Sequence, residues 1–180
     1  MSNPIVSIFS SFYSLPQETI ADFEKIIRSD SFPKNTELLK IGQTAKKMYF
    51  IQRGLARVYY YHEGMEVTDY FAIDGQFIGA VPGLATGAPS QKAIHLIEAA
   101  DVFSFLMRDF DECAAKHPSL ERAARKLITF AMIQEQERVQ SLRFYSAKER
   151  YFELERKYPG ISNRCPLKYI PWADIYNFLH

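Results

Sequence analysis

The sequence predicts an α+β chain: one helix, then a block of short strands, then a helical C-terminal third. Three observations carry that prediction. Apolar residues repeat at helical spacing over about 16–29. From Glu37 to Met107 the period falls to two, as in half-buried strands. From Pro118 to about Arg143 no Gly and no further Pro interrupts a run of good helix formers.

Composition sets the outer limits. A chain of 180 residues is long enough for a real hydrophobic core in one large domain or a domain with an appendage. Its 22 basic and 21 acidic residues leave a formal charge of +1, so no global charge argues for a polyanion or a membrane surface. Cys113 and Cys165 lie far apart without CxxC or Cys/His spacing, which fits a reduced, cytoplasmic protein. The N-terminal MSNPIVSIFSSFYSLP lacks the basic region and long apolar core of a signal peptide. No apolar run approaches the roughly 18 residues of a membrane span, so no membrane partner is expected.

The first helix is expected from Ser14-Leu15-Pro16-Gln17, which supplies an N-cap candidate, a Pro near N1 and a Gln at the capping-box offset. Ile20, Phe23, Ile26 and Ile27 make its apolar face, and Ser29-Asp30 and Phe32-Pro33 end it. In the strand block, Leu38, Leu39 and Ile41 precede a turn at Gly42. Met48–Gln52 and Leu55–Tyr61 flank Arg53-Gly54, which reads as a hairpin, and His62-Glu63-Gly64-Met65 reads as a second turn before Glu66–Ile73. Ala93–Ala99 and Val102–Met107 add two strands. Short strands about ten residues apart suggest a sandwich, barrel or roll. Arg57, Tyr59, Tyr61 and Tyr70 line that roll or face water, because a one-residue register change exchanges the faces.

Between those strands, Asp74-Gly75 is followed by Phe77-Ile78 and then by Gly79, Pro82, Gly83, Gly87 and Pro89. Gly and Pro at this density force tight turns or a close approach of backbone to something else. Such an insertion is an ordinary surface loop or the wall of a small-ligand site.

The helical third begins with a short acidic helix, Arg108–Lys116, broken at His117-Pro118. In the long helix, Leu120, Ala124, Leu127 and Ala131 trace one stripe, while Ile128, Met132, Val139 and Leu142 trace a neighbouring one. Ala123, Phe130 and Ile133 widen the apolar surface beyond one contact face. A helix of about 26 residues, roughly 39 Å long, outruns a small roll, so one stripe is expected on the roll and the other on a second copy of the chain. A further helix starts at Ser146, with Glu149 closing a capping box and Tyr151, Leu154 and Tyr158 as its stripe. Arg164–Ile170 opens another helix that Pro171 disrupts.

The helix, the strands with YFIQRG, the FIG…PSQ insertion and the long helix stand in an order that resembles the cyclic-nucleotide receptor (CRP/FNR) family of bacterial transcription regulators, in particular its Bacteroidetes-like branch. Ser146–Tyr151, Tyr158-Pro159 and Cys165–Ile170 extend the resemblance, which covers about residues 14–170. It implies a double-stranded β-helix (jelly-roll) sensor domain over 1–117, a dimerisation helix over 118–145 and a helix-turn-helix remnant over 146–180. The implied ligand pocket consists of Phe77, Ile78, Gly79, Ala80, Ser90, Gln91, Lys92 and Ala93.

Two departures from the family pattern modify what it implies. Nucleotide-binding members place a Glu on the ribose and an Arg on the cyclic phosphate, and here Ala80 stands at the Glu position while Ser90-Gln91-Lys92-Ala93 contains no Arg. Lys92 offers a point charge without the bidentate fork of a guanidinium. Cyclic AMP is therefore not expected to bind, no cofactor is expected, and any small effector is of unknown identity. After Pro171 nine residues remain, with Asp174 and no Lys or Arg, where the family has a recognition helix. The expectation is a regulator, truncated or frame-disrupted, with impaired DNA binding, or a tail that docks Trp172 and Phe178 on the body or a partner. The alternative is a dimeric protein-interaction or small-anion-sensing module that does not bind DNA. A cupin-like metal enzyme finds no support, since His62 and His95, with Glu66 and Asp69, match no ligand spacing. No residue set for catalysis is named.

Overall fold

The computed structural model describes residues 3–170, except the side chains of Leu142, Ala147 and Leu167. Within these residues, β1 (Arg28–Phe32), β8 (Ala100–Leu106), β3 (Lys47–Arg53) and β6 (Gln76–Ile78) form one antiparallel sheet in that spatial order. β2 (Glu37–Leu39), β7 (Ala93–Leu96), β4 (Ala56–His62) and β5 (Met65–Ala72) form the other. The alternation of β3 shows why they stack. Ile51 points into the layer between the sheets, with Val58, Ala72, Ile78, Ile94, Leu96 and Val102, while Phe50 points out to a helical layer.

That helical layer contains α1 (Pro4–Phe12), α2 (Gln17–Ile26), α4 (Met107–Lys116) and the first turns of α5 (Pro118–Phe144). Phe9, Phe23, Phe105 and Phe110 interlock there, with ring centroids 5.0–5.9 Å apart. His117, at the α4–α5 break, ties α2 down through Asp22 Oδ2 at 3.0 Å and Thr19 Oγ1 at 3.2 Å.

Several local expectations change. α1 lies outside the expected helices, although Asn3-Pro4 is a start signal: the Ile5 amide donates to Asn3 Oδ1 at 3.0 Å, and Pro4 sits in the first turn. α2 is capped by Pro16 without a side-chain bond, so the Ser14 cap is not used, and it ends at Ile26 because the chain joins β8 as β1 from Arg28. Arg53-Gly54 is not a hairpin. β3 and β4 belong to different sheets, and Gly54 carries the chain across at φ 124°. The hairpin is β4–β5, turning at Glu63-Gly64 with φ of 50° and 77°, the double positive φ of a tight two-residue loop.

After α5, α6 (Ala147–Lys157) starts at the expected capping box: Ser146 Oγ accepts from the Glu149 amide, and Glu149 accepts from the Ser146 amide. α7 (Ile161–Arg164) and a 3-10 turn (Leu167–Tyr169) replace the helix expected from Arg164. Tyr158, Ile161, Cys165 and Ile170 pack on Leu55, Phe71 and Ile97, so this segment covers the outer face of the β2-β7-β4-β5 sheet. Expectations for Pro171–His180 fall outside the described residues.

Candidate functional site

The insertion between β6 and β7 folds around α3 (Val81–Thr86), a single short helix with Ala80 at its N-cap. The structure separates the expected pocket residues into three groups. Phe77 turns to the helical layer, its ring 5.1 Å from Phe50 and 6.2 Å from Phe9. Ile78 and Ala80 are buried between the sheets, and Ala93 is buried in β7 opposite Tyr59. Gly79, Ser90 and Lys92 present polar groups, and Gln91 is exposed.

Those polar groups have internal partners. The Tyr70 hydroxyl donates to the Gly79 carbonyl at 2.7 Å and accepts from the Gly79 amide at 3.2 Å. Burial pushes the Tyr70 phenol up to about 12, opposed by the Gly79 contact and aided by the carboxylates of Asp69 and Glu135. Ser90 Oγ donates to the Lys92 carbonyl and accepts from the Lys92 amide, which closes a local turn. Lys92 Nζ donates to Asp69 Oδ2 at 2.6 Å, with the two side chains 32% and 18% exposed. Its ammonium also stands 5.8 Å from the Tyr60 ring centroid.

Asp69 is the partner that sequence reasoning missed in this role. The β4–β5 register passes from Val58↔Tyr70 to Tyr59↔Thr68, so Asp69 is an extra residue in β5. Such a bulge re-aims a side chain, and here it brings a carboxylate to Lys92, the point charge among the expected pocket residues. Chemically, an anionic ligand at Lys92 must displace an existing charge-assisted bond. Among the described residues no second cation pairs with Asp69, and the Ala80 side chain carries no hydrogen-bonding atom.

The outer face of the second sheet holds a separate polar cluster. Arg57, at 2% exposure, donates to Glu66 Oε1 at 2.6 Å, to Thr68 Oγ1 at 3.3 Å and, through Nε, to His95 Nδ1 at 3.3 Å. Its guanidinium carbon lies 4.4 Å from the Tyr59 ring and 3.5 Å from the Tyr169 ring. The Tyr59 hydroxyl donates to Glu37 at 2.8 Å, and burial together with that carboxylate holds its pKa well above the usual range. Arg57 and Tyr59 thus lie on the outer face, and Tyr70 on the inner one.

On α5 the candidate interface residues divide in the same way. Leu120 and Ala124 are buried in the chain's own core, with Leu127 packed against it, so these three face inward rather than toward a partner. Ala131 is exposed, as are Ile128, Met132 and Val139. Met132, Glu135, Gln136, Val139 and Gln140 line a shallow groove. Among the described residues no three or more His, Cys, Asp or Glu side chains converge as a metal site, and no helix is long and apolar enough to cross a membrane.

With this geometry in hand, residues 29–117 match the family model of the cyclic nucleotide-binding domain. Those residues carry the cyclic nucleotide-binding fold. The domain has structural neighbours among CRP/FNR-type regulators. The Catabolite Activator Protein of Thermus thermophilus is 16% identical with a TM-score of 0.60, over 87% of this chain and 72% of that one. A cyclic nucleotide-binding domain from Methylobacillus flagellatus KT gives 16% and 0.64, over 78% and 80%. The regulator CLP of Xanthomonas campestris, described as responsive to c-di-GMP, gives 14% and 0.58, over 79% and 72%. No curated protein sequence matches the chain.

Proposed function

We propose that the chain is a CRP/FNR-like transcriptional regulator of the cytoplasm, not an enzyme, whose effector pocket does not take cyclic AMP. The observation that carries this reading is the Lys92–Asp69 pair inside a cyclic nucleotide-binding fold that has neither a Glu at Ala80 nor an Arg across Ser90–Ala93. Each missing charge-assisted contact is worth about 1.5–3 kcal/mol. Two together weaken a micromolar ligand by about 150-fold to about 10⁴-fold, to between about 0.1 mM and tens of mM, since about 1.4 kcal/mol is tenfold.

The parts divide as sensor roll (1–117), dimerisation helix (118–145) and helix-turn-helix remnant (146–180). Exposed Ile128, Met132 and Val139 support a homodimer through α5. DNA binding is impaired in this form, a reading supported by the engagement of two of the cations on α6 and α7. Arg156 pairs with Glu153 at 2.6 Å, and Arg164 pairs with Glu98 at 2.7 Å.

Calorimetric titration of the purified protein with cyclic AMP tests the pocket. Heats that do not saturate through the micromolar range are expected, and a micromolar dissociation constant refutes the reading.

A further inference from the structure

The C-terminal segment meets the second sheet through two attachments of different chemistry. At the first, Arg164 grips Glu98 with two bonds of 3.0 and 2.7 Å, reaches the Gly54 carbonyl at 3.0 Å and lies 3.4 Å from Asp74. A guanidinium fork on a carboxylate holds wherever the carboxylate stays ionised. At the second, the Tyr169 ring centroid lies 3.5 Å from the Arg57 guanidinium carbon, its ring nearly perpendicular to that of His95 at 6.0 Å. This second attachment depends on Arg57 staying where it is. Arg57 Nε, in turn, points at His95 Nδ1.

The Arg57–His95 bond has a chemical consequence. A guanidinium only donates, so His95 Nδ1 must be the unprotonated, accepting nitrogen. A proton added there sets donor against donor and cation against cation at 3.3 Å. The groups around His95 come from every element packed on it: Arg57 and Tyr59 from β4, Glu37 from β2, Glu66 from β5, and Lys168 and Tyr169 from the 3-10 turn. Glu66 is already bonded to Arg57, and Glu37 to Tyr59.

We propose that residues 166–170 are an acid-released latch on the outer face of the β2-β7-β4-β5 sheet, with His95 as its trigger and Arg164 as the anchor that stays in place. Protonation of His95 breaks the bond from Arg57, disturbs the guanidinium beneath Tyr169 and frees the turn that holds Ile170 in the core. Release also lifts Tyr169 from the outer face of β4, whose neighbouring Tyr60 stands beside Lys92. Burial is the main force holding His95 below its ordinary pKa, with Arg57 next and the two glutamates opposing. The latch is therefore closed at neutral pH and opens on mild acidification.

Hydrogen–deuterium exchange of the full chain, corrected for intrinsic rates, tests the latch. Between about pH 7.5 and about pH 5.5, the peptide spanning 166–170 is expected to lose protection, by at most about tenfold for one group of ordinary pKa about 6.5, while α4 keeps its own. His95→Gln, which keeps an accepting atom but does not titrate, should stay protected at both values. Tyr169→Ala, which removes the grip without touching the sheet, should exchange at neutral pH as the unaltered chain does in acid. A drop shared by α4, no drop at all, or a drop that survives in His95→Gln overturns the proposal. So does full neutral-pH protection in Tyr169→Ala.

Discussion

Gly54 shows how much one residue decides. At φ 124° it turns the chain from one sheet to the other, its amide donates to Asp74 at 2.6 Å, and its carbonyl accepts from Arg164. A Cβ at this position would sit 2.7 Å from the Ala100 Cβ and 3.0 Å from backbone atoms of Ala99 and Ala100, none of which can rotate away. Gly54→Ala is therefore expected to lower stability by about 3 kcal/mol, from a backbone conformation costly to an L residue plus overpacking. Denaturant unfolding measures it, and a loss under about 1 kcal/mol would refute the crossing geometry. Asp69 makes the complementary point. Its identity is plain in the sequence, but its partnership with Lys92 exists only because a bulge turns it there.

At the scale of the element, α5 carries the clearest division of labour. Its first turns bury Leu120, Ala123 and Ala124, and its later turns leave Ile128 at 66% and Met132 at 62% exposure. Water against that much apolar side chain is unfavourable, and a second copy of the chain offers the same stripe in return. Replacing Ile128 and Met132 together by Glu is expected to weaken the proposed self-association at least about 100-fold, through desolvated charge at the proposed contact, while the fold is retained. Sedimentation equilibrium reads the change, and circular dichroism checks that the monomer remains folded. Unaltered association would overturn the dimer contact through α5. The width of the stripe was legible in the sequence from its spacing. Which half faces inward was not, because α5 packs on α1 and α4 rather than on the roll, and the inward half is set by where those helices end beneath it.

Over the whole molecule, acid acts in two windows. His95 has a folded-state pKa below its ordinary value, so the folded protein binds fewer protons than the unfolded chain as pH falls below about 6.5, and stability declines from there. Asp22, Glu149, Glu153 and Glu155 are held below the usual carboxylate range, with hydrogen bonds from Lys25, Ser146, Arg156 and Ser162 as the leading causes. Their contributions are present above about pH 4 and are lost as pH falls through the lowered values. The unfolding midpoint in denaturant should therefore fall in two steps on acidification, and His95→Gln should remove only the upper one. A single step near pH 4 in the unaltered chain would contradict the burial of a neutral His95.

Local chemistry is what the sequence by itself determined. The capping box at Ser146, the tight turn at Glu63-Gly64, the unbroken run of α5 and the alternation within the strands each depend on residues a few positions apart, so the order of elements was readable. The resemblance, carried by the order of elements together with the C-terminal run, extended this to the roll. Tertiary structure alone decided the rest. It parted β3 from β4, set Tyr169 on Arg57, and matched Asp69 to Lys92 across 23 positions. Period and propensity specify which face of an element is apolar, but they contain no term for which distant element covers it. That choice is made when two faces remote in the chain exclude water together, and the buried Arg57 cluster exists only on the surface so formed.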